Sequence, residues 1–308
     1  MNQVRGGDPC GMIGPMSSHP PAPSTAAEPR PLRELLRLPA GAVDMLALDP
    51  TATPGFPGRK SDAPKATAAL GPELDDLQER LFANGRADPE HAPRVLVVLQ
   101  GMDTAGKGGI LRHAIGLVDP QGVRIKSFKA PTRAELAHHF LWRVERELPG
   151  PGMIGIFDRS HYEDVLAVRV NRLVPDEVWD ARYAEINAWE ENLVADGTVL
   201  VKCFLHISAD TQKERLAARL AKPEKYWKYN PGDVDERAKW PAYAEAYRAV
   251  LERCSTQHAP WYVIPADRKW YRNWAVAQLL AEHLRGLGLR WPPADFDVEH
   301  ESVRLAAT

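Results

Sequence analysis

A three-layer α/β fold, with a parallel five-stranded sheet between helices, is predicted by three features of this 308-residue sequence. Short apolar runs alternate with stretches of helical periodicity. Helix-start signals separate the two kinds of segment. Residues 94–111, RVLVVLQGMDTAGKGGIL, pass from an apolar strand through a glycine-rich turn into a helix. The alternation implies parallel strands, because parallel neighbours must be joined by a crossover of a dozen or more residues, usually a helix.

The elements follow in order. Residues 1–30 are rich in Pro, Ser, Ala and Gly and lack the apolar stretch of a signal peptide, so a disordered leader is expected. Residues 31–90 form an N-terminal helical arm. Leu32, Leu35 and Leu36, and later Leu74, Leu77 and Leu81, recur at helical spacing around the turn-rich DPTATPGFPGRK. The main domain spans 91–290, with strands expected over Val95–Leu99, Val123–Phe128, Met153–Phe157, Val199–Ile207 and Trp261–Ile264. Thr132 with Glu135 reads as a capping box, Pro175-Asp176-Glu177 as a first helical turn, and Ser208 as a helix start. Residues 221–236, AKPEKYWKYNPGDVDE, are basic and aromatic, then turn-forming, which suits a lid over a site. Residues 291–308 are left as a C-terminal tail.

The glycine turn carries chemistry. The spacing from Gly101 to Gly106-Lys107 is that of a phosphate-binding loop, in which backbone N–H groups surround an anion and the lysine adds a full charge. Gly101, Thr104, Ala105, Gly106, Lys107, Gly108 and Gly109 are therefore candidate phosphate ligands. ATP-binding loops place Ser or Thr after the lysine to hold magnesium, whereas here Gly108 follows it. Asp103, inside the loop, is the candidate for that task.

A second signal is GMIGIFDRSHYEDVLAVRV, residues 152–170, where an apolar strand ends in an acid. An aspartate at that position holds metal or orients a nucleophile in phosphate-loop proteins; taken alone, Asp158 would read as a helix N-cap. Arg159 projects toward the same crevice and can grip two phosphate oxygens. Glu163 and Asp164 are either helix-terminal acids or groups of the acceptor site, and Arg169 is either a phosphate contact or a surface charge. Lys129 lies just beyond a strand end, where open α/β sheets bind ligands. These residues make up the candidate nucleotide side. Lys222, Lys225 and Lys228, with Asp267, Arg268, Lys269 and Arg272 near the end of the last strand, read singly as surface charges but together carry more positive charge than one ATP tail requires; Lys222, Lys225, Lys228 and Arg268 are the candidate phosphate ligands among them. Trp227, Trp270 and Trp274 read as packing residues.

The net charge of −2 hides basic clusters, Arg124, Lys126, Lys129 and Arg133 in one stretch and Lys222, Lys225 and Lys228 in another, which read by themselves as solvated faces; no nucleic-acid partner is expected, and no segment approaches the ~20 apolar residues of a membrane helix. Cys10, Cys203 and Cys254 are too few and too widely spaced for a disulfide framework, so a cytoplasmic setting is expected.

From about Leu48 to Leu280 the chain resembles the polyphosphate kinase type 2 family, class III in particular. The resemblance rests on LDPTATPGF, LQGMDTAGKGG, SFKAPT, FLWRVERELP, FDRSHYEDVLAVRV, KYWKYNPGDVDERAKW and WYVIPADRKWYRNWA. It implies a P-loop kinase fold similar to thymidylate kinase and Mg²⁺-dependent transfer of a phosphoryl group between inorganic polyphosphate and a nucleoside mono- or diphosphate. It also implies a homodimer or homotetramer. Carried over by position, Gly101 to Gly109 cradle the polyphosphate end and Lys107 neutralises it. Asp103 and Asp158 hold magnesium, Arg159 binds phosphate, and residues 221–236 close as the lid. Class III members commonly carry an acid after the loop lysine, where this chain has Gly108. The rival readings are an ATP-dependent nucleotide or metabolite kinase of the same fold and a non-catalytic nucleotide-binding regulator.

Overall fold

The computed structural model describes residues 30–308. The expected leader, with Cys10, lies outside them apart from Arg30.

Five strands form one parallel sheet in the order β2-β3-β1-β4-β5: β1 Arg94–Gln100, β2 Val123–Ser127, β3 Ile154–Asp158, β4 Thr198–His206 and β5 Trp261–Pro265. Each coincides with an expected strand to within two residues at either end. Before the sheet come α1 (Leu32–Leu36), α2 (Ala63–Ala69) and α3 (Gly71–Ala87). Between β1 and β3 lie α4 (Lys107–His113), α5 (Arg133–Leu136) and α6 (Trp142–Glu145), and between β3 and β4 lie α7 (Ala167–Val170) and α8 (Asp176–Ala195). Then follow α9 (Ala209–Leu220), α10 (Gly232–Ala238) and α11 (Trp240–Arg253), with α12 (Lys269–Gly286) and α13 (Val298–Ala306) after β5.

β1 is covered on both faces, which is why it reads as an unbroken apolar run. Its side chains alternate between two cores. Val95, Val97 and Leu99 pack with Leu74 and Leu81 of α3 and Leu279 of α12, while Leu96 and Val98 pack with Ile186 of α8 and Val250 of α11. The arm thus shares a core with the sheet through Leu32, Leu36, Leu74, Leu77 and Leu81.

Several helix starts have the expected local chemistry. Thr132 Oγ1 accepts from Glu135 N at 3.2 Å while Glu135 Oε2 accepts from Thr132 N at 2.6 Å, and Ser208 Oγ accepts from Thr211 N at 3.1 Å. Pro175 precedes the 20-residue α8, whose first turn carries Asp176 and Glu177. Residues 221–236 fold as a 3₁₀ turn over Pro223–Lys228 followed by α10. In the 291–308 tail, α13 is capped by Asp297 and buries none of its side chains. Among the described residues no helix is long and apolar enough to cross a membrane.

Candidate active site

Sheet order creates the site. The chain leaving β1 crosses to the β2 edge, whereas the chain leaving β3 crosses the other way to β4, so a crevice opens between the ends of these adjacent strands. Leu99 stands opposite Asp158 in the β1–β3 ladder, one strand spacing of about 4.8 Å away. The turn after Leu99 and the acid ending β3 therefore emerge side by side.

The loop is shaped by residues distant in sequence. Gly106 has φ 108°, a left-handed conformation that favours glycine, and a Cβ there would stand 1.7 Å from Arg272 Nη1. Arg272, on α12 and almost fully buried, donates Nη1 to Ala105 O at 2.9 Å. Arg215, on α9, donates to Thr104 O at 2.8 Å, Ala105 O at 3.2 Å, Ala266 O at 2.6 Å and Asp267 O at 2.9 Å. Among the described residues neither guanidinium forms a salt bridge with a carboxylate, and both are drawn below the usual arginine pKa by burial, Arg272 to about 9 with Arg215 adding to the effect. Gly106→Ala is expected to lower stability by roughly 1–3 kcal/mol, through the disfavoured dihedral and the clash, and to reduce activity with it. Chemical denaturation with an unchanged m-value would check this.

Two non-glycine residues at the crevice, Thr104 with φ 66° and Arg159 with φ 65°, are also left-handed, a costly backbone state that neighbouring structure must hold. Arg159 N donates to Leu99 O at 3.1 Å, and its guanidinium lies 2.8 Å from Asp103 Oδ1 and 3.7 Å from Glu163 Oε2. Burial opposes its charge, but Glu163, Asp103 and Asp158 outweigh that and raise its pKa. Burial raises the pKa of Glu163 against the pull of Arg159 and Lys107. Lys107 Nζ donates to Gly101 O at 2.9 Å across its own loop. Its pKa is lowered by burial and by Arg159, with Asp158, Asp103 and Glu163 acting in the opposite sense.

The crevice has a volume of about 650 Å³ and is bordered by nine lysine and arginine side chains against two carboxylates, Asp103 and Asp158. That imbalance calls for anions. Lys107, Arg159, Lys225, Lys228 and the loop residues Thr104, Gly106, Gly108 and Gly109 all face it, and Arg112, Arg215, Arg219, Lys269 and Arg272 join them. Arg215 and Arg219 stand four apart on α9, the helix that Ser208 starts, and carry no local signal of a phosphate site. Trp227, expected as a packing residue, is instead 78% exposed at the crevice with Lys228 Nζ 4.8 Å from its ring centroid. Trp274 is buried, and Trp270 packs edge-on against Phe56. A second, smaller cavity on the other side of Asp103 and Arg159 is bordered by Glu163, Gln212, Glu236, Arg237, Tyr243 and Tyr247. Of these, Glu163 is a candidate from its motif and Glu236 lies within the lid segment, whereas Tyr243 and Tyr247 on α11 carry no local signal of a site.

Other expected residues stand apart from the crevice. Lys222 does not border it, and Arg268 lines a shallow depression with Lys60 and Trp270. Lys129 is exposed beyond β2, with its carbonyl held by Arg143 at 2.8 Å. Asp164 is buried and engaged by Arg182 at 3.2 Å and Arg143 at 3.8 Å, so its carboxylate is occupied within the protein. Arg169 stacks on Trp179, 4.6 Å from the ring centroid, and lies 3.6 Å from Glu245. Asp164 and Arg169 are held by partners from elements that the local sequence could not reveal.

The metal-binding capacity of the site is limited. Among the described residues no three His, Cys, Asp or Glu side chains gather as a metal cluster. Asp103 and Asp158 supply hard oxygen donors, and Ser127 Oγ makes only a long 3.5 Å contact to Asp158. A pair of carboxylates suits Mg²⁺, which takes one or two from the protein and completes its shell with water and substrate phosphates.

A cleft that sets two carboxylates among so many cations, at the switch point of a parallel sheet, is suited to bringing phosphate groups together, and it places this chain among the P-loop phosphotransferases. The narrower assignment comes from comparison. Residues 60–287 match the family model of Polyphosphate kinase 2 (PPK2), and the chain belongs to that family. It is 48% identical over 254 residues to the AMP/ADP-polyphosphate phosphotransferase of Meiothermus ruber, covering 82% of this chain and 93% of that one. It is 43% identical over 231 residues to the ADP-polyphosphate phosphotransferase of Rhodopseudomonas palustris, covering 71% and 78%. The crystal structure of Polyphosphate Kinase 2 from Arthrobacter aurescens superposes with a TM-score of 0.87 at 48% identity, covering 91% of this chain and 98% of that one.

Proposed function

We infer that this protein transfers the terminal phosphoryl group of inorganic polyphosphate to AMP and/or ADP, yielding ADP and ATP, reversibly and with Mg²⁺. The observation that carries the reading is the unbalanced positive charge of the crevice, above all Arg215 and Arg272, which hold the loop from below without a carboxylate partner among the described residues. A polymer of phosphates offers no base to recognise, so cations spread over the loop, α9, the lid and α12 are a fitting way to bind it.

Phosphoryl transfer asks mainly for positioning and for charge compensation on the transferring group. In this reading the loop from Gly101 to Gly109 receives the polyphosphate end and Lys107 leaves Gly101 O for a phosphate oxygen. Arg159, held between Asp103 and Glu163, faces both cavities and can bridge donor and acceptor. Lys225, Trp227 and Lys228 close over the crevice with the lid, and Tyr243, Tyr247 and Glu163 form the acceptor side. Asp103 and Asp158 would hold the magnesium ion, which would draw charge from the phosphate oxygens. The enzyme is taken to be a cytoplasmic homodimer or homotetramer. Cys203 and Cys254, both buried and unpaired with their pKa raised to about 12 by burial, suit a reducing setting.

The alternative, an ATP-dependent kinase, is disfavoured by Gly108, which leaves no hydroxyl after the loop lysine. Incubation of the pure protein with AMP, polyphosphate and Mg²⁺, following ADP and ATP separately, tests the assignment. Failure to form either product, with turnover on ATP as donor, would favour the alternative. Because a ligand that binds only the folded protein stabilises it by mass action, tripolyphosphate at about 100 times its Kd is expected to stabilise the fold by about 2.7 kcal/mol, seen as a higher Tm. An unchanged Tm would place the anion elsewhere.

A further inference from the structure

Lys202 is the one lysine whose side chain is fully buried among the described residues, and it lies within the apolar run of β4. Its ammonium donates to Glu190 Oε2 of α8 at 2.6 Å, to Tyr162 Oη at 2.9 Å and to Cys254 O at 2.7 Å, which uses all three of its hydrogens. Glu190, equally buried, accepts from Tyr162 Oη at 2.7 Å and lies 3.2 Å from His161 Nε2. Burial would keep Glu190 protonated, but Lys202 and His161 outweigh it and lower its pKa. The rings of Tyr162 and Trp261 flank the ammonium, with centroids 5.4 and 5.1 Å away.

A buried ion pair is poor evidence of a stabilising role, since well-packed apolar side chains often serve as well or better. What matters is where this one is attached. Two of its members, His161 and Tyr162, belong to the turn that follows Arg159, and Glu163 is the next residue. Within the turn Tyr162 N donates to Ser160 Oγ at 3.2 Å and Glu163 N to Ser160 O at 3.1 Å. Glu163 and Asp103 then hold the two sides of the Arg159 guanidinium. Arg159 itself sits in a left-handed conformation that needs its surroundings to hold it.

We propose that Lys202 and Glu190 are positioning residues for phosphoryl transfer, fixing through Tyr162 Oη the turn that aims Arg159 and Glu163 at the crevice. None of the three touches the crevice, so the effect is on orientation. The proposal rests on the phosphotransferase reading above.

The test compares the parent enzyme with Tyr162→Phe, with the double variant Lys202→Met/Glu190→Met, and with Leu74→Ala, a core variant on the opposite face of the sheet. Tyr162→Phe removes only the hydroxyl; kcat is expected to fall roughly five- to tenfold, with the KM for polyphosphate nearly unchanged because the other crevice cations are untouched. The double variant removes both charges and is expected to keep a Tm near the parent's while kcat stays low. Leu74→Ala should lower Tm and leave kcat unaltered at a temperature where it is folded. A kcat for Tyr162→Phe and the double variant within about twofold of the parent, less than one hydrogen bond is worth, would overturn the proposal. Should the double variant not fold, Tyr162→Phe decides alone. A parent enzyme that turned over no polyphosphate would instead fell the underlying reading, and the proposal with it.

Discussion

Replacing Lys107 with alanine will lower kcat/KM for polyphosphate-dependent phosphorylation of AMP by roughly 10²–10³-fold or more. The reasoning is electrostatic. The Lys107 ammonium lies deep in the loop, where burial and Arg159 already weaken its hold on a proton. A charge held in so little water interacts with a phosphate far more strongly than one on the surface. Alanine removes the charge and leaves the glycine loop to hold the anion by its N–H groups alone. The fold should survive, because among the described residues the only side-chain hydrogen bond lost is the one to Gly101 O. The measurement is initial-rate kinetics with polyphosphate as sole donor, alongside Tm. Near-parental kcat/KM would remove Lys107 from the reaction.

Asp158→Asn is expected to reduce kcat on the order of 10³-fold, about 4 kcal/mol, and to raise the Mg²⁺ concentration needed for half-maximal rate. Asparagine is nearly the same size, so the β3–β1 register and the neighbouring turn should be preserved, but it lacks the negative charge that a hard cation requires. Nucleotide binding measured by calorimetry without metal should change little, which separates a lost metal ligand from a collapsed site. Retained turnover with unchanged Mg²⁺ dependence would remove Asp158 from the metal site; the N-capping role its local sequence also suits belongs instead to Ser160, whose Oγ accepts from Tyr162 N at 3.2 Å.

The fold was largely legible because its signals are local. Burial on both faces makes a parallel strand an uninterrupted apolar run, and caps such as Thr132 and Ser208 act within three residues. The phosphate loop was legible for the same reason. Legibility stopped where a residue's role depends on its partners. Trp227 looked like a packing residue because tryptophan usually is one, and only the placement of the lid sets it over the crevice. Asp164 is open in sequence between a helix-terminal acid and an acceptor-site group, and Arg143 and Arg182, from two other helical segments, occupy its carboxylate. Lys202 passed as part of an apolar strand, since nothing nearby in sequence announces Glu190 or Tyr162 as its partners.

By itself, then, the amino-acid order determined five strands, the helices between them, and a loop and an acid suited to phosphate, because each of these arises from contacts within a few residues. The three-dimensional arrangement decided which cations gather: Arg215 and Arg272, more than fifty residues apart, meet beneath a loop that precedes both by a hundred or more. Like charges converge in that way only when the fold brings α9 and α12 to the same loop. The repulsion is tolerated because loop carbonyls, and in this reading a bound phosphate chain, compensate it.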